Sequence, residues 1–153
     1  EARVISGQPL LVTPTSRRRF DENGKSVNTH GDYPDAVRWV AAKENVPLIE
    51  LNGMTAILFN ALGVDNSTKA FVHYPAGTFP GQTRTLKDNT HFSTYGAYEV
   101  SKCVIEGMKK ADLEIVKYLR PDYSGLDPAQ PDSFESFKWN LGSFTENEKP
   151  DGN

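Results

Sequence analysis

Leu10-Leu11-Val12-Thr13 is a continuous apolar and β-branched run stopped by Pro14, the pattern of a strand covered on both faces inside a parallel sheet. The polar stretch from Thr15 to Asp32 contains the turn-forming pairs Asn23-Gly24 and His30-Gly31 and predicts a long loop. Beyond it Ala36, Val37, Val40 and Ala41 fall at helical spacing, which predicts a helix over about Pro34 to Asn45. Pro34 sits in its first turn, where a missing N–H is tolerated. Val46 to Leu51 is a second short apolar run directly after that helix. Strand, helix and strand in succession imply a parallel pairing.

Met54, Ile57, Leu58, Ala61 and Leu62 mark one face of a further helix that Gly63 is expected to end. Lys69 to Tyr74 reads as a short strand or an ordered turn, and Pro75 to Lys87, with Pro75, Gly77, Pro80 and Gly81, reads as loop. A last long helix is expected from near Ser93, with Ala97, Val100, Val104, Ile105 and Met108 on its buried face and Gly107 weakening its middle. Asp112 is a candidate cap for a short final helix ending near Leu119. The alternation makes the fold class α/β. Residues 121–153 hold Pro121, Pro128, Pro131 and Pro150 among many Asp, Ser and Asn, and are predicted to wrap the surface or fray. Phe134, Phe137, Trp139, Leu141 and Phe144 within that tail call for a surface to dock on.

Composition narrows the function classes. The 153 residues carry 17 Lys plus Arg against 20 Asp plus Glu, a net charge of -3 without the positive excess of a nucleic-acid binder. No apolar run approaches the roughly 20 residues of a membrane span. The single cysteine, Cys103, excludes an internal disulfide framework and a multi-Cys zinc module, and reads as a small buried hydrophobe on the last helix. Glu1 to Ser6 lack a basic, apolar signal-like start and read as the middle of a longer chain.

Candidate chemistry concentrates in Asp88-Asn89-Thr90-His91-Phe92-Ser93-Thr94-Tyr95-Gly96. Asp and His three residues apart can turn toward one site, where the carboxylate orients the imidazole and stabilises its protonated form. Turn closure by Asp88, with His91 a surface residue, is the alternative reading of so short a pattern. Arg17, Arg18 and Arg19 come after the C-terminal end of the first strand, the side where open α/β sheets bind ligands. A guanidinium grips a carboxylate through two hydrogen bonds, but three adjacent arginines cannot all point one way, and pairing with Asp21 or Glu22 is the competing use. His30, Asp32 and His73 stand in loops, as cleft residues or as turn residues with equal weight. Tyr74, Phe79 and Tyr95 are candidates for stacking on sugar rings or for anchoring loops. The histidines lie far apart and form no H-E-x-x-H, so no metal site is expected.

The run Asp-x-x-His-Phe-Ser-x-x-Gly resembles the last conserved block of the SGNH hydrolases, also called the GDSL esterases. Leu11 to Pro14, Arg17 to Phe20, His30 to Pro34, Val46 to Leu51, His73 to Gly77 and Asp88 to Tyr98, in this order, resemble the pattern of bacterial rhamnogalacturonan acetylesterases over about residues 8–120. The resemblance implies a three-layer α/β/α sandwich with a parallel sheet of five strands, of which only the last two can be placed here. It implies an esterase that removes acetyl groups from a rhamnogalacturonan or pectin-like polysaccharide, without a cofactor, in a secreted or periplasmic setting. Asp88 and His91 would complete a Ser-His-Asp triad; Arg17, Arg18, His30, Asp32, His73 and Tyr74 are the candidates for contacting substrate.

The family's Gly-Asp-Ser nucleophile motif and its Gly-x-Asn-Asp motif are not found in these residues. Gly63-Val64-Asp65-Asn66 has the order reversed, and neither Asp65-Asn66-Ser67 nor Pro131-Asp132-Ser133 lies between a strand and a helix. Residues 1–120 are therefore expected to be the C-terminal part of one domain, inactive alone and unstable without an N-terminal half. A catalytically inert sugar-binding or structural relative is the alternative function.

Overall fold

The computed structural model describes residues 2–138; Trp139, Leu141 and Phe144 lie outside the described residues. Strands β1 (Leu11–Val12) and β2 (Leu48–Ile49) pair in parallel, with Leu11 opposite Leu48 and Val12 opposite Ile49, and helix α1 (Tyr33–Lys43) runs between them. This is the strand-helix-strand unit that the pattern predicts. Both strands are shorter than their apolar runs.

A carboxylate explains where β2 stops. Glu50 caps helix α2 (Leu51–Asn66) by accepting from the Gly53 N–H at 3.4 Å, so the helix begins at Leu51, inside the expected Val46 to Leu51 run. The same carboxylate accepts from Arg38 Nε and Nη2 at 2.6 and 2.7 Å and from Thr13 Oγ1 at 3.1 Å. Arg38 holds it below the usual carboxylate range. Thr13 Oγ1 in turn accepts from the Asn52 N–H at 2.8 Å. One side chain thus ties the end of β1 to α1 and α2. The expectation of a strand covered on both faces is corrected here: Thr13 is buried, but Val12 is 40% exposed, and among the described residues β1 pairs along one edge only.

Gly63, at φ 72° and ψ 178°, breaks α2 where the sequence expects a stop, and one more turn reaches Asn66. After the 3-10 turn Ser67–Ala70 comes β3 (Phe71–Tyr74), which pairs antiparallel with β4 (Leu86–Phe92). The sequence reading places loop from Pro75 through Lys87 and misses this hairpin. Pro75, Gly77, Pro80 and Gly81 belong to its connection, and Lys87-Asp88-Asn89-Thr90 offers no apolar alternation to announce a strand.

Helix α3 (Thr94–Lys110) starts near Ser93, as expected, with the Ser93 side chain as its cap. Ile49, Leu51, Leu58, Phe59, Ala70, Phe71, Tyr95, Val100 and Cys103 form the buried core, with Phe71 5.0 Å from Phe59 and 5.1 Å from Phe92, ring to ring. Gly107 lies inside α3, which runs through it unbroken. A Cβ there would stand 2.4 Å from Ile49 Cγ2, so the bare backbone is what lets α3 lie on β2. Asp112 is no cap either: it takes φ 50° beyond α3, and Leu113 precedes the 3-10 turn Glu114–Tyr118 without a side-chain cap.

Past Arg120, Asp132 reaches back to α3. Lys102 Nζ lies 2.9 Å from Glu99 Oε1 and 2.8 Å from Asp132 Oδ2, and the Tyr95 hydroxyl donates to the Asp132 carbonyl at 2.6 Å. Burial pushes the Glu99 carboxyl up; Lys102 is pulled down by burial but held above its ordinary value by the two carboxylates. Phe134 and Phe137 pack edge-on against Tyr95 at 5.4 and 5.6 Å. Among the described residues no helix is long and apolar enough to cross a membrane.

Candidate active site

The ladder between β3 and β4 is irregular at Asp88 to His91. From the Phe71–Phe92 pairing to the His73–Lys87 pairing, β3 advances two residues and β4 five, so the four residues Asp88 to His91 stand against Val72 alone, none has a ladder partner, and they swing out of the sheet. The excursion is closed from within: Asp88 Oδ1 accepts from the backbone N–H groups of Thr90 at 2.7 Å and His91 at 3.0 Å. The other carboxylate oxygen, Oδ2, lies 2.7 Å from His91 Nδ1. The His91 backbone N–H, then the His91 ring, then the Thr90 N–H favour the ionised form and push the Asp88 carboxyl down to about 2.

An ionised Asp88 can only accept, which assigns a proton to His91 Nδ1; in the neutral imidazole the lone pair is then on Nε2. The His91 side chain is 77% exposed, and Nε2 makes no hydrogen bond among the described residues. The pair therefore presents an oriented, solvent-facing base.

The chain is bolted down directly after His91. Phe92 joins the aromatic core, the Ser93 N–H donates to the Ala70 carbonyl at 3.1 Å, and Ser93 Oγ donates to the Lys69 carbonyl at 2.6 Å while accepting from the Gly96 N–H at 3.1 Å. A Cβ on Gly96 would fall 1.9 Å from the Ala70 oxygen. Ser and Gly of the Asp-x-x-His-Phe-Ser-x-x-Gly run are thus the residues that let α3 press against the end of the Ser67–Ala70 turn.

Of the other candidates, Arg18 and His73 reach the excursion through Asn89. The Arg18 backbone N–H donates to the Asn89 carbonyl at 2.9 Å, Arg18 Nη1 to Asn89 Oδ1 at 3.1 Å, and His73 Nε2 lies 2.8 Å from the same Oδ1. Arg18 is half-buried, and desolvation lowers its pKa against the pull of Asp65. Neither Asp21 nor Glu22 pairs with it; Asp21 instead closes its own turn onto the Asn23 and Lys25 N–H groups. Arg17 is exposed and makes no side-chain hydrogen bond among the described residues.

His30 Nε2 lies 2.8 Å from the Thr15 carbonyl, beside the arginines. Asp32 is exposed at the start of α1 and makes no capping bond with its side chain. Tyr74 packs edge-on against Phe79 at 5.0 Å, next to a hollow of about 460 Å³ that His73, Thr94 and Phe134 help to bound. Tyr95 is 1% exposed and belongs to the core, so stacking on a sugar is excluded for it. Cys103 is buried, and burial pushes its thiol up to about 12. Asn89 escapes the sequence reading altogether, since its role depends on a partner 71 residues away.

No family model matches the chain, and no solved structure matches it. Two curated proteins of Bacillus subtilis (strain 168) do. Rhamnogalacturonan acetylesterase RhgT is 41% identical over 118 residues, covering 77% of this chain and 51% of that protein. Probable rhamnogalacturonan acetylesterase YesY is 33% identical over 116 residues, covering 76% of this chain and 49% of that protein. Over about three quarters of its length the chain resembles the rhamnogalacturonan acetylesterases, and it spans about half the length of the curated relatives it matches.

Proposed function

We propose that the chain carries the Asp-His part of a Ser-His-Asp carbohydrate esterase that removes acetyl groups from a rhamnogalacturonan-like polysaccharide. The observation that carries this reading is the 2.7 Å contact between Asp88 Oδ2 and His91 Nδ1 beside an unengaged Nε2. The similarity to two rhamnogalacturonan acetylesterases supplies the substrate class. Nucleophilic serine and oxyanion hole come from sequence outside these residues, which alone are inactive.

In the complete enzyme His91 Nε2 takes the serine proton as the serine oxygen attacks the acetyl carbonyl, and Asp88 stabilises the imidazolium. Collapse of the tetrahedral intermediate breaks the ester bond. His91 returns the proton to the departing sugar hydroxyl, leaving an acetyl-enzyme. A water molecule, deprotonated by the same nitrogen, releases acetate and restores the serine. Arg17, exposed and without a polar partner among the described residues, is suited to a galacturonate carboxylate, with His30, Asp32 and Tyr74 as further contacts. Such a substrate implies work outside the cytoplasm.

The test is acetate release from acetylated rhamnogalacturonan by the complete protein and its His91→Ala variant. A loss of several orders of magnitude is expected, because triad members act as a unit. An unchanged rate removes His91 from the reaction, and a complete protein that binds the polysaccharide without releasing acetate is the inert relative.

A further inference from the structure

We propose that Asn89 is a positioning residue of this esterase, holding the Asp88–His91 excursion in place, and that Arg18 serves Asn89 from behind instead of gripping substrate. The inference rests on the esterase reading of the Asp88–His91 pair. Four residues without ladder partners, Asp88 to His91, cannot be placed by the β3–β4 pairing, and the Asp88 turn closes the excursion only onto itself. Its position relative to the rest of the molecule must come from outside the hairpin. Asn89 is the residue that receives it.

The backbone and side chain of Asn89 both accept. Its carbonyl takes the Arg18 N–H, and its Oδ1 faces two donors, Arg18 Nη1 at 3.1 Å and His73 Nε2 at 2.8 Å. Flipping the amide would set an NH2 group against the guanidinium, so the arrangement fixes the amide orientation and places a proton on His73 Nε2. Arg18 uses three of its five side-chain N–H donors inside the protein, one from each nitrogen. Its Nε donates to Ser67 Oγ at 3.0 Å and its Nη2 to the Val64 carbonyl at 2.6 Å, and its guanidinium carbon lies 5.7 Å from the centre of the Phe20 ring. Val64 is at the C-terminal end of α2, where a cation suits both the orphan carbonyls and the helix dipole. A single guanidinium therefore connects α2 to the residue next to Asp88. Each of its three nitrogens is engaged within the protein, the opposite of a fork held open for a carboxylate.

The complete protein and its Asn89→Ala, Asn89→Asp, Arg18→Ala, Arg18→Ala/Asn89→Ala and His91→Ala variants are compared on acetylated rhamnogalacturonan and on an uncharged acetyl ester such as 4-nitrophenyl acetate. Displacement of the Asp-His pair predicts that Asn89→Ala lowers kcat about a hundredfold on both substrates with KM little changed. Asn89→Asp, which keeps the acceptor, recovers most of that loss. Arg18→Ala shows the same pattern, and the double variant is no slower than the slower single, since both changes break one connection. A kcat for Asn89→Ala within twofold of the parent overturns the proposal, as does an Asn89→Asp variant as slow as Asn89→Ala. So does an Arg18→Ala loss confined to KM for the anionic polysaccharide, the mark of a substrate grip. If Asn89→Ala does not fold, Asn89→Asp and Arg18→Ala carry the same decision. His91→Ala separates the two levels. If it is inactive while Asn89→Ala is normal, only the positioning role fails; if it is fully active, the esterase reading fails and the positioning role with it.

Discussion

Asp88 holds His91 twice, through the backbone N–H at 3.0 Å and through Nδ1 at 2.7 Å, one carboxylate oxygen to each. The first contact sets where the residue stands and the second which ring nitrogen keeps the proton. Asp88→Asn can preserve the first and inverts the second, because an amide N–H facing Nδ1 forces the proton onto Nε2. Acetate release by the complete protein should fall on the order of 10⁴-fold while the melting temperature changes little. A variant within tenfold of the parent would show that the carboxylate does not set the tautomer.

Asp88 also makes a pH prediction with a definite sign. Its folded value, about 2, lies below its ordinary 3.8, so the stabilisation from its contacts is fully present above 3.8 and lost as the pH falls toward 2. Any fall in kcat/KM between pH 4 and 6 must therefore have another origin. A carbon-detected NMR titration of the Asp88 carboxyl should give a midpoint near 2; a midpoint at or above 3.8 would mean that the contacts to Thr90 and His91 are not held in solution.

Gly96→Ala tests the bolt behind His91. The added Cβ meets backbone, the Ala70 carbonyl, so no rotamer change relieves it and α3 must move. Overpacking of this kind costs about 3 kcal/mol, a drop in melting temperature of roughly 10 °C. Because Ser93 and its bonds to Lys69 and Ala70 move with α3, kcat should fall as well. Thermal unfolding and acetate release measured together decide it: an unshifted melting temperature would place α3 farther from Ala70.

The 153 residues alone are predicted to lack a cooperative thermal unfolding transition as a monomer. Strand β1 has one sheet neighbour among the described residues, Val12 is 40% exposed, and an unpaired apolar edge invites association. Calorimetry combined with sedimentation checks this. A sharp two-state transition from a monodisperse monomer sinks it.

Local features were legible in the sequence and crossings were not. Asp88 and His91 could be paired from their spacing because a three-residue separation closes within a turn. The β1–α1–β2 unit emerged from period and order alone. Gly96 and Gly107, by contrast, read as an ordinary motif position and a weak spot, since what each makes room for, the Ala70 carbonyl and the Ile49 side chain, lies elsewhere in the chain. Arg18 was legible as a cation at the right end of a strand, yet its partners sit 46, 49 and 71 residues away, and no local pattern distinguishes a guanidinium turned inward from one offered to a ligand. The β3–β4 hairpin stayed hidden because its second strand carries turn chemistry where a strand would show alternation.

That second strand sets a constraint on length. Asp88, Thr90 and His91 close one hydrogen-bonded turn, so removing one residue between Asp88 and Phe92 would keep the carboxylate and the imidazole in the sequence yet break the spacing that lets Asp88 reach both the His91 N–H and its Nδ1. Conservative exchanges inside the excursion, at Thr90 for example, should be absorbed far more readily than any insertion or deletion there. At this site a single-residue frame is the element hardest to change.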